Sequence, residues 1–314
     1  MARILITGVS GLLGINLALE AAEMHEVIGV LHDRPLYKIG FQTVQADLLA
    51  LDSPPRLLDE TQPDWVIHCA AIADLDACER QPKLAQCLNV ELPSQFAKET
   101  SRRGIQLLHI STDAVFDGRR GDYSEGDRPS PLSIYASTKL ASEEAVLAAN
   151  PEAIVVRPNF FGWSLSGTRS LAEFFYNHLS ANKHALGLTD RFSCPLLAND
   201  LAAVLLRMLD RGLHGLYHVV SADSLSKYDF GVALAQRFGL DHNLIDAITS
   251  KEMGYAAQRA AHLTLRTDKI SHALGELMPS VSAGIEKLYR LAQEGYRERL
   301  QSMAGQPTNV LISA

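Results

Sequence analysis

Tyr135 and Lys139 stand four residues apart in Tyr-Ala-Ser-Thr-Lys, the spacing that puts two side chains on one face of a helix. A free phenol titrates near ~10, too high for easy proton exchange at neutral pH. A neighbouring ammonium favours the phenolate and is expected to lower that value. Tyr135 then gives a proton to a carbonyl oxygen while a hydride reaches the carbon, acid–base help worth roughly 10²–10⁴ in rate. Ile110-Ser111-Thr112-Asp113 adds hydroxyls at the end of an apolar run. Thr112 or Ser111 is the candidate to polarise the carbonyl; the plainer reading is a capping hydroxyl.

The hydride donor has its own signature. Thr7-Gly8-Val9-Ser10-Gly11-Leu12-Leu13-Gly14 spaces its glycines at 8, 11 and 14. Gly8 permits a tight turn, Gly11 lets the backbone approach a pyrophosphate, and Gly14 lets a helix pack close to a strand. The anion rests on unpaired N–H groups of that helix's N-terminus. Ser10, Leu12 and Leu13 fall in the same turn, so a dinucleotide is expected there. An NAD-preferring site carries an acid at the end of its second strand. That position is Leu31, followed by His32, Asp33 and Arg34. His32 and Arg34 are therefore expected to meet a 2′-phosphate, making NADP(H) the preferred cofactor, with NAD(H) possible through Asp33. Asp47 and Leu48 are the adenine-side candidates, and Lys139 also holds the nicotinamide ribose.

These groups need a frame in which strand ends meet helix starts. Short apolar runs at 3–7, 26–31, 64–68, 105–110 and 153–157 alternate with helical patterns at 12–23, 83–103 and 133–150. Pro93 marks a break or a new first turn in the second of these helices. Strands this apolar are buried on both faces, and strand–helix alternation means a parallel sheet with right-handed crossovers. The expected fold is a doubly wound α/β sheet of the Rossmann type. After Pro158 the pattern loosens into helices at 171–181, 199–211, 227–238 and 282–302, with a strand at 216–220. The expected division is a dinucleotide-binding domain over 1–158, which also takes in about 197–239. A smaller, discontinuous substrate domain covers 159–196 and 240–314. Ligands in such sheets bind beyond the carboxyl ends of the strands, which is where the glycine turn, Thr112 and Trp163 fall. Phe160 and Trp163 are candidates to line the substrate pocket.

Composition closes off other classes. The 314 residues are enough for one or two self-supporting cores. Twenty-nine Lys+Arg against 36 Asp+Glu give a net charge of −7, no footprint for nucleic acid. No apolar stretch approaches the ~18 residues of a membrane span. The four cysteines are too scattered for a disulfide framework, so a cytoplasmic protein with reduced thiols is expected. Cys69 reads as inert packing. His214 and His218 lie four apart, but Gly212 and Gly215 break any helix there, and no metal site is expected.

Taken in order, the glycine turn, the Ser-Thr strand end and Tyr-x-x-x-Lys resemble the extended short-chain dehydrogenase/reductase family. The match is closer to its dTDP-4-dehydrorhamnose reductase branch. Val66-Ile67-His68-Cys69-Ala70-Ala71, Asp76-Ala77-Cys78-Glu79, Leu88-Asn89-Val90 and Ser111-Thr112-Asp113-Ala114-Val115-Phe116-Asp117-Gly118 carry that resemblance. Ser130-Pro131-Leu132, Tyr135-Ala136-Ser137-Thr138-Lys139-Leu140 and Arg157-Pro158 extend it. It implies Thr112, Tyr135 and Lys139 as the catalytic set, with Ala70, Ala71 and Arg157 on the cofactor side and Ser111 and Asp113 on the substrate side. It implies reduction of a 4-keto sugar nucleotide, and a possible homodimer through the helix over 140–149. The same stretches are similar to the regulatory β subunits of methionine adenosyltransferase, which bind NADP and partner another enzyme. An epimerase or dehydratase is the weaker alternative: Asp113 is followed by Ala114 rather than the glutamate that dehydratases of this family use. Ala114 also departs from the reductases' usual aromatic, as do 190–195 and 258–263 from their substrate-side segments; within those segments the resemblance leaves Arg191 and Arg259 as candidates for a substrate phosphate, since arginine offers a bidentate fork.

Overall fold

The computed structural model describes residues 1–50, 52–252 and 260–304. Its centre is a seven-stranded sheet. We label β1 (Arg3–Thr7), β2 (Glu26–Leu31), β3 (Gln42–Gln45), β4 (Trp65–His68), β5 (Gln106–Ile110) and β6 (Ile154–Pro158), with an edge strand at Gly215–Val219. The spatial order is edge strand, β6, β5, β4, β1, β2, β3, and every pairing is parallel. Chain order reverses between β1 and β4, and that switch point opens the crevice. β3 is short and mostly exposed at the sheet edge, so it lacks the apolar signature by which the other strands were read.

The strands bury both faces, as their composition requires. Ile4, Ile6, Ile67 and Leu108 point into one core with Leu17 of α1 (Leu12–Ala21) and Leu205 of α8 (Ala198–Asp210). Leu5, Val66, Leu107 and Val155 point the other way, onto Leu57 of α2 (Ser53–Thr61) and Phe96 of α5 (Leu92–Arg103). The helix expected over 83–103 is a composite. Following α3 (Leu75–Arg80), α4 (Pro82–Gln86) runs through a π-turn at Cys87–Glu91 into α5. Pro93 sits in the first turn of α5, so it marks the change of hydrogen-bond register instead of ending the helix. α6 (Ile134–Ala149) starts where Ser133 Oγ accepts the Ala136 N–H at 3.2 Å.

A second core forms from α7 (Leu171–Ser180), α9 (Lys227–Phe238), α11 (Val281–Gln293) and α12 (Tyr296–Met303). It includes Phe161, Trp163, Phe175, Phe230, Leu234 and Leu288. α9 buries Phe230 and Leu234 in this core, which also takes in Ile15 of α1. The tail expected as one helix breaks at Gly295, whose φ of 75° begins α12. No helix among the described residues is long and apolar enough to cross a membrane.

Candidate active site

β1 ends at Thr7 and the chain turns at Gly8, whose φ is +67°. A Cβ there would lie 2.8 Å from the Ala70 backbone nitrogen. One on Gly14 would lie 2.3 Å from the Gly8 carbonyl oxygen. Both positions therefore exclude a side chain, and α1 is brought hard against the turn. The N-cap of α1 is Gly11, which offers no side-chain acceptor to the first N–H groups. Leu13 is buried in the core, so this turn presents its backbone and the Ser10 side chain to a ligand.

A cleft of about 400 Å³ opens over the turn, lined by Gly8, Ser10, Gly11, Ala70 and Ala71 and extending to His32, Asp47 and Leu48. Arg34 is exposed and does not line it. Asp47 accepts the Leu49 N–H at 2.9 Å and so fixes its own loop. Cys69 lies just past β4 on the cleft wall, not inside the strand, and burial pushes its thiol up to about 12. Arg169, from the loop before α7, lines the same cleft; nothing in its local sequence marks it.

Thr112 follows β5 and caps the single turn Asp113–Val115, its Oγ1 accepting the Ala114 N–H at 3.2 Å. The capping and functional readings of Thr112 thus coexist. The same hydroxyl donates to Asp113 Oδ1 at 3.2 Å and acts on the Tyr135 phenol, favouring its ionised form. Burial pushes Tyr135 up to about 12, only partly countered by Thr112. This is the reverse of the expected lowering. Lys139 is not among the groups acting on the phenol, because its ammonium lies deeper, 2% exposed and 3.3 Å from His109 Nε2. Burial brings Lys139 down to about 8, against the opposing pull of Glu143. Ser142 Oγ donates to the Lys139 carbonyl at 2.6 Å and lies 2.9 Å from His109 Nε2.

Two expectations fail for one reason: a buried carboxylate absent from the sequence reading. Glu143, one helical turn beyond Lys139, accepts Ser111 Oγ at 2.5 Å and binds Arg157 through Nε at 2.9 Å and Nη2 at 2.7 Å. Arg157 is 2% exposed. Its guanidinium is committed to this bidentate pair, and Ser111 faces the same carboxylate, so neither reaches the cleft. The spacing Tyr135–Lys139–Glu143 carried the signal, since four-residue steps share a helix face.

Asn89, in the π-turn, is a second missed residue. It is fully buried; its Oδ1 accepts the Ile72 N–H at 2.9 Å, and its Nδ2 donates to the Ile72 carbonyl at 3.1 Å and to Thr138 Oγ1 at 3.2 Å. It ties the loop after β4 to the helix bearing Tyr135 and Lys139. π-bulges recur at functional sites.

A smaller cavity of about 200 Å³ lies beyond Thr112, lined by Ala114, Ser133, Asn159, Arg191, Phe192 and Lys227 among others. Arg191 lines this cavity, its Nη1 donating to the Asp190 carbonyl at 3.0 Å and its Nε buried and unpartnered. Asn159 donates to Asp113 Oδ2 at 2.5 Å. Burial nonetheless raises the Asp113 carboxyl to about 6. Phe160 and Trp163 do not line this cavity. Phe160 packs on the sheet core. Trp163 is fully buried in the second core, donating from Nε1 to the Leu288 carbonyl at 3.1 Å. Arg259 lies outside the described residues.

Comparison with known proteins agrees with this frame. The profile of the family described as RmlD substrate binding domain matches residues 2–293. The chain is 32% identical over 289 residues to a probable low-salt glycan biosynthesis reductase of Haloferax volcanii, covering 90% of this chain and 96% of that one. It is 32% identical over 280 residues to methionine adenosyltransferase 2 subunit beta of Rattus norvegicus, covering 85% and 81%. A dTDP-4-dehydrorhamnose reductase from Bacillus anthracis, solved with NADP, superposes with a TM-score of 0.79 at 24% identity, covering 92% and 99%.

Proposed function

Because the chain belongs to the RmlD substrate binding domain family, within the extended short-chain dehydrogenases/reductases, we propose that it is an NADP(H)-dependent reductase of a 4-keto sugar nucleotide. The observation that carries this reading is the Thr112–Tyr135 hydroxyl pair. Their chain neighbours Ala114 and Ser133 line the smaller cavity. NADP(H), with NAD(H) as the alternative, fits the glycine turn, where Gly8, Ser10 and Gly11 line the cleft, and the absence of an acid at Leu31. The bound cofactor supplies the hydride. Gly8, Ser10 and Gly11 hold its diphosphate, and His32, Asp47 and Leu48 its adenosine end.

This chain's part is the proton. A carbonyl that gains a hydride at carbon needs a proton at oxygen to become an alcohol. Tyr135, held near 12, is protonated throughout neutral pH and stands ready as that donor. Thr112 steadies its hydroxyl and orients the carbonyl. Lys139, buried on the same helix face as Tyr135, is the residue that would hold the cofactor's nicotinamide ribose. Asp113 and Arg191 bind the sugar nucleotide.

NADPH and NADH oxidation in the presence of a dTDP-4-dehydro-6-deoxy-hexulose tests the reading, with both cofactors titrated alongside. Substrate-dependent oxidation is expected. The similarity to methionine adenosyltransferase 2 subunit beta favours a second reading, a cofactor-binding regulatory subunit. That reading requires tight dinucleotide binding, no oxidation, and stable association with a partner enzyme.

A further inference from the structure

We propose that Arg169 is a clamp for the diphosphate of the dinucleotide, held at the cofactor cleft by the buried carboxylate of Glu173; this rests on the cofactor reading above. Among the described residues lining that cleft, Arg169 is the sole arginine or lysine, and Asp47 the sole acid. A diphosphate placed on the glycine turn carries negative charge that α1's first N–H groups only partly balance. Arg169 shares the cavity with those groups, with Ser10 and Gly11. Its guanidinium is exposed and forms no ion pair among the described residues, unlike that of Arg157. A planar fork of N–H donors suits two adjacent phosphate oxygens.

The loop beneath it is built with unusual care. Glu173 is fully buried and has no basic partner among the described residues. It accepts the backbone N–H groups of Ser164 at 2.6 Å, Arg169 at 2.7 Å and Ser170 at 3.1 Å, and the Ser164 hydroxyl at 2.9 Å. Ser170 completes a reciprocal capping box and donates its hydroxyl to the Gly162 carbonyl at 2.7 Å. Asn177 Nδ2 donates to the Gly167 carbonyl at 2.7 Å. A helix start needs only the capping box. The additional bonds, from Glu173 to Ser164 and Arg169, fix the backbone of the segment that delivers Arg169 to the cleft. Glu173 is thus a positioning residue and acts through Arg169.

The test is calorimetric titration of NADH and NADPH into the wild-type protein, Arg169→Met, Glu173→Gln and the double variant. Arg169→Met is expected to weaken both dinucleotides by the same factor, about tenfold for one charge-assisted pair. Glu173→Gln should weaken them less, and the double variant no more than Arg169→Met alone; full additivity would reduce Glu173 to a structural role. Loss confined to NADPH would assign Arg169 to the 2′-phosphate and overturn the clamp. Unchanged affinity for both would overturn it outright. A wild-type protein that binds neither dinucleotide would overturn the cofactor reading together with this one. Should Glu173→Gln not fold, the Arg169→Met arms decide alone.

Discussion

At Tyr135 burial and the Thr112 hydroxyl act in opposite directions. Burial raises the phenol to about 12, and the Thr112 hydrogen bond offsets only part of that. A tyrosine so held is an acid at neutral pH, which suits the reductive direction. Tyr135→Phe keeps the ring and removes the proton, so turnover should fall at least a hundredfold while dinucleotide affinity stays nearly unchanged. Steady-state rates beside a binding titration check this; undiminished turnover would remove Tyr135 from the chemistry. The pair was legible because Tyr135 and Lys139 lie one helical turn apart. The direction of the tyrosine's shift was not, because sequence spacing says nothing of how deep Lys139 sinks toward His109.

Elements set the site by close approach. The glycine turn works because α1 leans on β1 with no Cβ between them, and Gly14 is its tightest point. Gly14→Ala should push α1 outward and weaken dinucleotide binding more than tenfold, at a cost of roughly 1–3 kcal/mol in stability; an unchanged dissociation constant would mean the turn has slack. The link between α6 and β6 is different in kind. Arg157 and Glu143 form a buried bidentate pair with Ser111 as third member. Arg157→Met would strand the carboxylate and should destabilise the fold by about 3–5 kcal/mol, read from denaturant midpoints. A change under 1 kcal/mol would show the carboxylate taking up a proton or reaching water. Arg157 was legible as a strand-end arginine, but its partner was hidden because Glu143 reads as an ordinary helix-surface acid.

Over the whole molecule the buried imidazoles decide the response to acid. His68 and His218 are brought down to about 3, and His109 well below its ordinary value, all chiefly by burial. They stay neutral in the fold, whereas the unfolded chain takes up three protons below about pH 6.5. The unfolded state then binds more protons, so stability falls with pH in that window. At pH 5.5 the loss is about 4 kcal/mol for three such groups. Asp113 works the other way. Its raised carboxyl binds a proton in the fold below about 6, contributing about 1 kcal/mol at pH 5.5. The histidines win. Denaturant unfolding at pH 7.5 and 5.5 should show a net loss of about 3 kcal/mol, and Asp113→Asn should enlarge it. Equal stability at both pH values would contradict the neutral histidines.

The parallel sheet, its switch point and the glycine turn were readable because each rests on local rules: apolar runs, alternation, and positions that tolerate no side chain. Thr112, Tyr135 and Lys139 were readable because helix periodicity and strand ends fix them locally. β3, too polar and exposed to stand out, was not. Nor were the partners that side chains choose across the fold. Arg157 met Glu143, Trp163 met Leu288, Ser111 turned inward, and Arg169 came to the cofactor cleft from a loop 158 residues beyond Gly11. Burial and pairing depend on which segments the sheet brings together, a long-range outcome that no local spacing encodes.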